Sequence, residues 1–374
     1  MRITVNDIIG VMKKIAPPNL AESWDNVGLQ IGDPTWPVQR IWVALDPIPE
    51  VIQAAINQNI DLIITHHPLF FHPIKSIDLS KPESKIIADA ISHKIAIYSA
   101  HTNLDKVTGG INDLLANKLN LLDIRPMIPE KSSDKAKLVV FVPNSHVQQV
   151  MDALFEKNAG VIGQYEKCAF KSDGIGTFQP TELTKPFLGK KGQFEETKEC
   201  RIETIISLKN APAIINHLKK NHPYETVAYD IYPLNQVSDS SDGLGRVGHL
   251  KTPMRLQELA DHIIKCLNLS YVRVIGDPEL IVNQLAVCSG SGGSLIDKVV
   301  SLGVQAYVTG DLKYHDARSI EMHQLGAIDV AHFESEHIFI DDLVPKLLTE
   351  MEKRQWTVEI LPCPVERNPF YLKT

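Results

Sequence analysis

The 374-residue sequence is long enough for two or three domains, because one domain commonly takes about 100–200 residues. With 44% hydrophobic and 22% charged residues the composition is that of an ordinary globular protein, and no apolar run approaches the ~20 residues that span a bilayer. The net charge is −7 and Lys and Arg form no dense run, which argues against nucleic acid as a partner.

The cysteines argue against a disulfide framework and against a thiolate zinc site. Their number is odd and none forms a C-x-x-C motif. The N-terminal sequence lacks the basic region and long apolar block of a signal peptide. We therefore expect a cytoplasmic protein. The five cysteines are Cys168, Cys200, Cys266, Cys288 and Cys363.

The first predicted elements form a strand–helix–strand unit over residues 41–65, IWVALDPIPEVIQAAINQNIDLIIT. Apolar residues recur at helical spacing in its middle, so we predict two parallel strands joined by a helix. His66 and His67 come directly after its second strand. A further helix leads to the strand in IAIYSAHTNLD, residues 95–105, which ends near a histidine and a carboxylate.

A segment of different character follows at about residues 128–234. Its predicted strands lie in KLVVFVP, ECRIETIISL and TVAYDIYPL, and its predicted helices in VQQVMDALFEK and APAIINHLKK. The predicted β-α-β-β-α-β order favours a ferredoxin-like α+β module. We interpret KPFLGKKGQFEETKE as an exposed hairpin or loop and QVSDSSDG as a linker. The sequence HPYE at residues 222–225 indicates a structural turn more strongly than a second metal site.

The first unit is then repeated. Residues 285–309 align with residues 41–65 without a gap, and residues 326–336 align with residues 95–105. We therefore predict an α/β domain of two pseudo-repeated halves, residues 1–127 and 235–374, interrupted by the inserted domain at 128–234. His101 and Asp105 of the first half correspond to His332 and Glu336 of the second.

These polar residues follow strands, and parallel sheets bind ligands at the carboxyl ends of their strands. Imidazole and carboxylate ligands without thiolate suit zinc, iron or manganese. Five ligands favour two divalent ions that share a bridging carboxylate. The alternative is that the same side chains only cap strand ends. The five candidate ligands are His66, His67, Asp105, His332 and Glu336.

Other motifs leave alternatives open. His101 could be a sixth ligand, an orienting group, a proton shuttle or a histidine satisfied by hydrogen bonds. In SWDNVGLQIGDP, Asp25 and Asn26 could border the site and Trp24 could stack on a base, or the segment could be a solvated loop. SGSGGS, residues 289–294, could hold an anion or form a tight turn. GLGRVG, residues 243–248, fits G-x-G-x-x-G, but we predict that it follows a linker rather than a strand and opens no helix.

Taken together, SWDNVGLQIGD, ITHHPLFF, SAHTNLD, GLGRVG, VTGDLKYHDA and HFESE resemble the Nif-three-like family of dinuclear-metal proteins, often called GTP cyclohydrolase 1 type 2 homologs. The inserted segment is similar to the CutA-like divalent-cation-tolerance fold, as in longer family members. The resemblance implies metal ligation by the same five residues, with zinc the first choice of metal. It also implies a toroidal homohexamer in which trimers of the insert cap the ring.

The resemblance implies hydrolysis of a cyclic amidine C–N bond in a nucleotide-like small molecule, with formate released and His101 as the proton shuttle. Two other functions stay open on the sequence alone. One is a non-enzymatic metal-binding or metal-handling protein, and the other is a regulatory scaffold whose metal ions stabilise the fold.

Overall fold

The computed structural model describes residues 2–130, 135–234, 240–371 and 373. Its internal contacts divide the chain into two units. The first combines Met1–Glu130 with Asp239–Thr374, and the second is Lys131–Ser238. No helix in the described part of the chain is both long and apolar enough to cross a membrane.

The N-terminal segment of the first unit alternates short strands with helices, as its periodicity predicts. Each central strand is buried, apart from Arg40 at the start of β2, which matches its near-continuous apolar sequence. The elements are α1 (Val5–Ile15), β1 (Gly28–Ile31), β2 (Arg40–Ala44), α2 (Pro49–Asn57), β3 (Leu62–Thr65), α3 (Pro82–Ser92), β4 (Ala96–Ser99), α4 (Thr102–Lys106), α5 (Ile111–Lys118) and β5 (Leu122–Pro129).

The second unit has the predicted β-α-β-β-α-β order, and its antiparallel sheet has the strand order β7-β8-β6-β9. Alternate residues of β6 enter an apolar core shared with both helices. The segment KPFLGKKGQFEETKE, predicted as an exposed hairpin or loop, belongs to the antiparallel hairpin of β7 and β8, and β8 begins within it at Glu195, which pairs with Phe178. The elements are β6 (Lys135–Pro143), α6 (Val147–Phe155), β7 (Ala169–Phe178), β8 (Glu195–Ser207), α7 (Ala211–Asn221) and β9 (Tyr229–Pro233).

The C-terminal segment returns to the first unit and ends on its first sheet. Its elements are β10 (Gly243–Arg255), α8 (Leu256–Leu267), β11 (Arg273–Ile275), β12 (Ile281–Ser291), α9 (Ile296–Ser301), β13 (Ala306–Gly310), α10 (Tyr314–Met322), β14 (Gly326–Asp329), α11 (His332–His337), α12 (Phe339–Arg354) and β15 (Glu359–Pro362).

Each pseudo-repeat contributes the centre of one sheet. The sheet orders are β1-β4-β3-β2-β15 and β11-β14-β13-β12-β10-β5. The strands β2, β3 and β4 run parallel, as do β12, β13 and β14. The parallel strand–helix–strand units predicted from the alignment of residues 41–65 with 285–309 are therefore confirmed.

The GLGRVG motif forms the first residues of β10, which begins at Gly243, and no helix begins directly after the motif, as predicted. Arg246 is 1% exposed and forms a two-pronged ion pair with Asp113, with distances of 2.6 and 2.7 Å. Its third nitrogen, Nη1, donates to the main-chain oxygens of Gly243 and Gly245. The motif therefore joins β10 to α5 through the buried Arg246–Asp113 ion pair, which we call the clasp, and is not a dinucleotide-binding loop.

Candidate metal centre

The candidate ligands lie just beyond strand ends in the first unit. His66 and His67 follow β3, and Asp105 lies on α4, which follows β4. In the second half, α11 begins at His332 and carries Glu336 one turn later. Because β3 and β4 are parallel neighbours, their carboxyl ends deliver these side chains to one edge of the sheet.

Four histidines turn the same ring nitrogen outward. In each, Nδ1 lies within hydrogen-bond distance of an oxygen, so Nδ1–H donates and Nε2 is left facing the centre. This arrangement is usual for metal-binding histidines, because the outer acceptor fixes the tautomer and the ring orientation. The pairs are His66 with the Ala100 carbonyl at 2.9 Å, His67 with Asp46 at 2.7 Å, His101 with Asp25 at 2.9 Å and His332 with Asp311 at 2.7 Å.

The inner atoms form two groups that share His67. The first contains His66, His67 and His101, and the second contains His67, His332 and Glu336; within each group the potential ligand atoms lie within 4.8 Å of one another. Glu336 Oε2 is 2.9 Å from the Nε2 atoms of both His67 and His332. Asp105 Oδ1 lies 3.7 Å from His66 Nε2. The structure thus brings all five predicted ligands together, with His101 beside them.

Two inner atoms are buried without a regular hydrogen bond. Within the described residues, His66 Nε2 and Glu336 Oε2 have no hydrogen-bond partner of acceptable geometry. His66 is fully buried and Glu336 is 4% exposed. A buried polar atom left unsatisfied costs about 1–3 kcal/mol, so the cluster calls for a further group. Divalent cations bound by imidazole and carboxylate fit this donor set.

At neutral pH the neighbouring carboxylates keep His67 and His332 protonated unless a cation displaces the protons. Burial lowers the pKa of His67, but the hydrogen bond with Asp46 and the adjacent Glu336 carboxylate outweigh it and raise the pKa to about 10. The adjacent Glu336 carboxylate raises the pKa of His332 to about 9, against the effect of burial. Burial opposes ionisation of Glu336, yet the surrounding histidines hold its pKa well below the usual range. A metal ion must therefore compete with protons here.

Gly290 leaves the space that the Glu336 carboxylate occupies. Its φ of +64° is in the left-handed region, and a Cβ there would lie 2.1 Å from Glu336 Oε1. A Cβ on Gly293 would lie 2.8 Å from a carboxylate oxygen of Asp316, whose charge disfavours a bound anion. Of the two interpretations of SGSGGS, the structure favours the close-packed turn.

The segment SWDNVGLQIGDP borders the cluster. Besides its bond to His101, the Asp25 carboxylate accepts from the Thr102 backbone N–H. Trp24 and Phe71 approach the His101 ring edge-on, with centroids at 6.0 and 5.7 Å, and both are largely exposed. Asp25 therefore orients His101 from the side away from the cluster, and the exposed rings of Trp24 and Phe71 lie next to His101.

Asp46 was missed by the sequence reasoning. It lies two residues beyond the end of β2 and accepts from His67. The only signal in the sequence is its position. Asp46 follows the first strand of the strand–helix–strand unit whose second strand is followed by His66 and His67. Asp311 follows residues 285–309 at the same distance as His67 follows the aligned residues 41–65, but its pairing with His332 was not predicted.

Comparison with known proteins places these residues in a family. Residues 3–369 match the family described as Duf34/NIF3 (NGG1p interacting factor 3). The chain belongs to this family. The resemblance inferred from the motifs is thereby confirmed, and the match covers nearly the whole chain.

Individual NIF3-family relatives agree over their full lengths. A Bacillus subtilis protein named GTP cyclohydrolase 1 type 2 homolog is 40% identical over 363 residues, which is 97% of each chain. The crystal structure of a Bacillus cereus protein related to NIF3 has a TM-score of 0.71 at 37% identity and covers all of both chains. A Staphylococcus aureus protein has a TM-score of 0.81 at 29% identity, covering 100% of this chain and 99% of that one.

Proposed function

We propose that this NIF3-family protein is a metal-dependent hydrolase of a nucleotide-like small molecule. The observation that supports it is the convergence of four histidine Nε2 atoms on two buried carboxylates, with His66 Nε2 left without a hydrogen bond. Side chains that only cap strand ends would have their buried polar atoms hydrogen-bonded. Bound cations would instead satisfy the buried atoms that lack a hydrogen bond here. The proposed ligands are His66, His67, Asp105, His332 and Glu336.

The two groups of inner atoms suggest two divalent ions. His67, His332 and Glu336 would hold one, and His66 and Asp105 would hold the second, near His101. Zinc is the first choice for such ligands, and iron or manganese would also suit them. When bound, such ions polarise a C=N or C=O group and acidify water.

His101 is the proposed proton shuttle. Its Nδ1–H donates to Asp25, so its Nε2 is free to accept or release a proton at the centre. Burial opposes the charge of Asp25, but hydrogen bonds with His101 and Thr102 lower its pKa to about 2. Asp25 therefore stays ionised and fixes the orientation of the His101 ring through its hydrogen bond with Nδ1–H.

The mouth of the centre favours a flat substrate. Trp24 and Phe71 are 61% and 48% exposed and flank His101. Exposed aromatic rings stack on planar ring systems, and each stacked ring contributes about 1 kcal/mol. With the relatives' name of GTP cyclohydrolase 1 type 2 homolog, this supports hydrolysis of the cyclic amidine C–N bonds in a purine-like ring. One water opens the ring to an N-formyl group, and a second water releases that carbon as formate.

The test is a formate assay on metal-stripped and reloaded protein with a panel that includes GTP and other nucleotides. We expect turnover only after reloading, and none from Glu336→Ala. Glu352→Ala, an exposed change on α12, is the matched control and should keep full activity. Fully metal-loaded protein that releases no hydrolysis product from any nucleotide would reject the hydrolase.

One observation favours a second candidate, a non-enzymatic metal-handling protein. His66 is fully buried and Glu336 almost so, which suits retention of an ion more than rapid turnover of a substrate. This function predicts reversible metal exchange that nucleotides leave unchanged. Exchange rates measured with and without the nucleotide panel separate it from the hydrolase.

We also propose a toroidal homohexamer capped by CutA-like inserts. In support, the edge strand β7 pairs only with β8 among the described strands and exposes Phe170 and Ile175, both 66% accessible. Exposed apolar edges of this kind are usually covered by another chain. Sedimentation equilibrium should give six times the chain mass of 41.7 kDa. A monomer at all concentrations would reject the assembly.

A further inference from the structure

The last part of the chain leaves the first sheet beside the candidate metal centre. β15 runs parallel to β2 up to its end, and the Cys363 backbone N–H then donates to the Val43 carbonyl at 2.8 Å. A turn at Pro364 takes the chain out of the sheet, as proline favours. Residues 363–370, which we call the C-terminal segment, therefore start at the carboxyl end of β2, on the sheet edge where His67 lies.

The Glu366 carboxylate of the C-terminal segment fixes the end of β2. Its side chain is only 3% exposed, and its Oε1 accepts from the backbone N–H groups of Leu45 at 2.7 Å and Asp46 at 2.8 Å. Within the described residues, no group outside Glu366 accepts from these two N–H groups. Backbone N–H groups inside a protein need an acceptor, so the two residues after β2 depend on this carboxylate for their conformation.

The end of β2 in turn orients a candidate ligand. Asp46 accepts from His67 Nδ1–H at 2.7 Å, and because its own side chain is 40% exposed, packing alone does not hold it. His67 is the residue common to both groups of potential ligand atoms. Loss of a carboxylate behind a metal-binding histidine lowers metal affinity about 10–100-fold. Glu366 therefore acts on His67 through the main chain of Asp46.

The C-terminal segment is also tied to α11, the helix that carries the ligands of the second half. Asn368 Nδ2 donates to Glu334 Oε1 at 2.6 Å, and Asn368 Oδ1 accepts from the Phe370 backbone N–H at 2.8 Å. Glu334 lies between His332 and Glu336 on α11. The segment therefore connects the end of β2 in the first half to the ligand helix of the second half.

We propose that the C-terminal segment positions the ligands of the candidate metal centre, with Glu366 as its main positioning residue. Glu366 holds the end of β2, where Asp46 orients His67. Asn368 holds α11 against the same segment. Neither Glu366 nor Asn368 supplies an inner atom of the two ligand groups, so both act on metal affinity through other residues. The inference rests on the metal ions of the proposed function, and it holds whether those ions hydrolyse a substrate or are only stored.

The test is a zinc titration of the metal-stripped full chain in competition with a chromophoric chelator, which gives the Kd of each bound ion. Glu366→Ala should weaken zinc binding about tenfold, because its effect reaches His67 only through the main chain of Asp46. Glu366→Gln keeps an oxygen that can accept from both N–H groups, so it should bind zinc within about twofold of the parent. Glu359→Ala is the matched control. It removes another carboxylate that ties β15 to β2, at the opposite end where Arg40 lies, and should bind zinc as the parent does.

A double variant separates positioning from a general loss of structure. If Glu366 acts through Asp46, the double variant Asp46→Ala, Glu366→Ala should bind zinc no more weakly than Asp46→Ala alone, because residues that act in series are not additive. A merely structural role of Glu366 would make the two losses multiply. Asn368→Ala acts through α11 instead, so it should weaken binding further in the Asp46→Ala background.

Each contrary outcome overturns the positioning role. These are unchanged zinc affinity in Glu366→Ala, equal weakening by Glu359→Ala, losses that multiply in the double variant, and no further loss from Asn368→Ala. A parent chain that binds no zinc would overturn the metal centre and this inference together, whereas a zinc-loaded parent with an unaffected Glu366→Ala would overturn this inference alone.

Circular dichroism of the metal-free variants checks their folding. If Glu366→Ala is unfolded, Glu366→Asp decides the result, because its carboxylate is withdrawn by one C–C bond of about 1.5 Å and can no longer serve both N–H groups. Zinc binding by Glu366→Asp should then be weaker than that of Glu366→Gln, and binding equal to that of the parent would overturn the proposal.

Discussion

At the scale of single residues, the main feature of the molecule is the outward hydrogen bond of each cluster histidine. The oxygens of Ala100, Asp46, Asp25 and Asp311 fix four rings so that Nε2 faces inward. These acceptors fix the orientation of the imidazole rings, which the histidine residues alone do not determine. Their positions come from three different strand ends and a loop, so only the folded chain shows the full set.

Proton release on metal binding follows from the raised pKa values. His67 and His332, with pKa values of about 10 and about 9, carry protons at neutral pH in metal-free protein. Zinc binding at about pH 7.5 should therefore release about two protons, and affinity should rise with pH until these pKa values are passed. Calorimetry in buffers of different ionisation enthalpy measures the number. A pH-independent affinity without proton release would contradict it.

Asp25→Asn tests the supporting role of Asp25. The amide oxygen still accepts from His101 Nδ1–H, but the negative charge is lost. We expect kcat to fall about 10–100-fold while KM and metal content stay nearly constant. A drop in bound metal would show instead that Asp25 maintains the ligands. Asp33→Asn, at an exposed turn of the same segment, is the matched control.

Gly290→Ala tests the close approach of Glu336. The substitution adds strain at positive φ and a clash with the carboxylate, so bound metal should fall by about half or more. Gly303→Ala is a strict control, because Gly303 also has positive φ but its Cβ would meet nothing within 4 Å. Equal metal loss in both variants would attribute the effect to backbone strain alone. Elemental analysis measures the content.

At the scale of elements, the buried clasp between β10 and α5 should dominate local stability. Asp113→Ala leaves the Arg246 guanidinium buried and unpaired, which should lower the free energy of unfolding by about 3–5 kcal/mol. Glu258→Ala removes one of the two exposed partners of Arg255 and should lower the free energy of unfolding much less, because solvent screens this surface ion pair. Urea denaturation compares the two. A similarly small change in the free energy of unfolding for both variants would contradict the stabilising role of the Arg246–Asp113 pair.

The elements were predictable where the chain repeats itself. Apolar periodicity at residues 41–65 and again at 285–309 indicated parallel strands, and the strand ends indicated the histidines and carboxylates. The sequence indicated that GLGRVG opens no helix, but it did not predict that the motif begins the strand β10. The Arg246–Asp113 pair joins residues 133 apart in the chain, a separation that periodicity cannot report.

The HPYE turn of the second unit was predicted, but its surroundings were not. His222 Nε2 donates to the Phe141 carbonyl at 3.0 Å, and Nδ1 accepts from the Tyr224 backbone N–H at 3.1 Å, so the structural turn is confirmed and neither ring nitrogen is left for a metal. Beside the turn lies a cavity whose wall joins Phe178 and Phe187 to Tyr224, residues that only the folded sheet and loop bring together. A local pattern can predict a turn, whereas the space beside it depends on distant chain segments.

At the scale of the whole molecule, the two units carry different chemistry. The first gathers imidazoles and carboxylates that suit divalent cations, and the second encloses an acidic, aromatic cavity. The inserted segment interrupts the pseudo-repeat between β5 and β10, which pair with each other in one sheet. The chain can therefore leave and re-enter the first unit at neighbouring strands without disturbing the candidate metal centre.

Metal stoichiometry tests the central claim most directly. Purified protein is stripped, reloaded with zinc and analysed for metal per chain, alongside Glu336→Ala and the Glu352→Ala control. We predict about two equivalents in the parent and the control, and fewer than about one in Glu336→Ala, because Glu336 approaches three of the cluster histidines. One equivalent or less in the parent, or an unchanged content in Glu336→Ala, would contradict the paired metal centre.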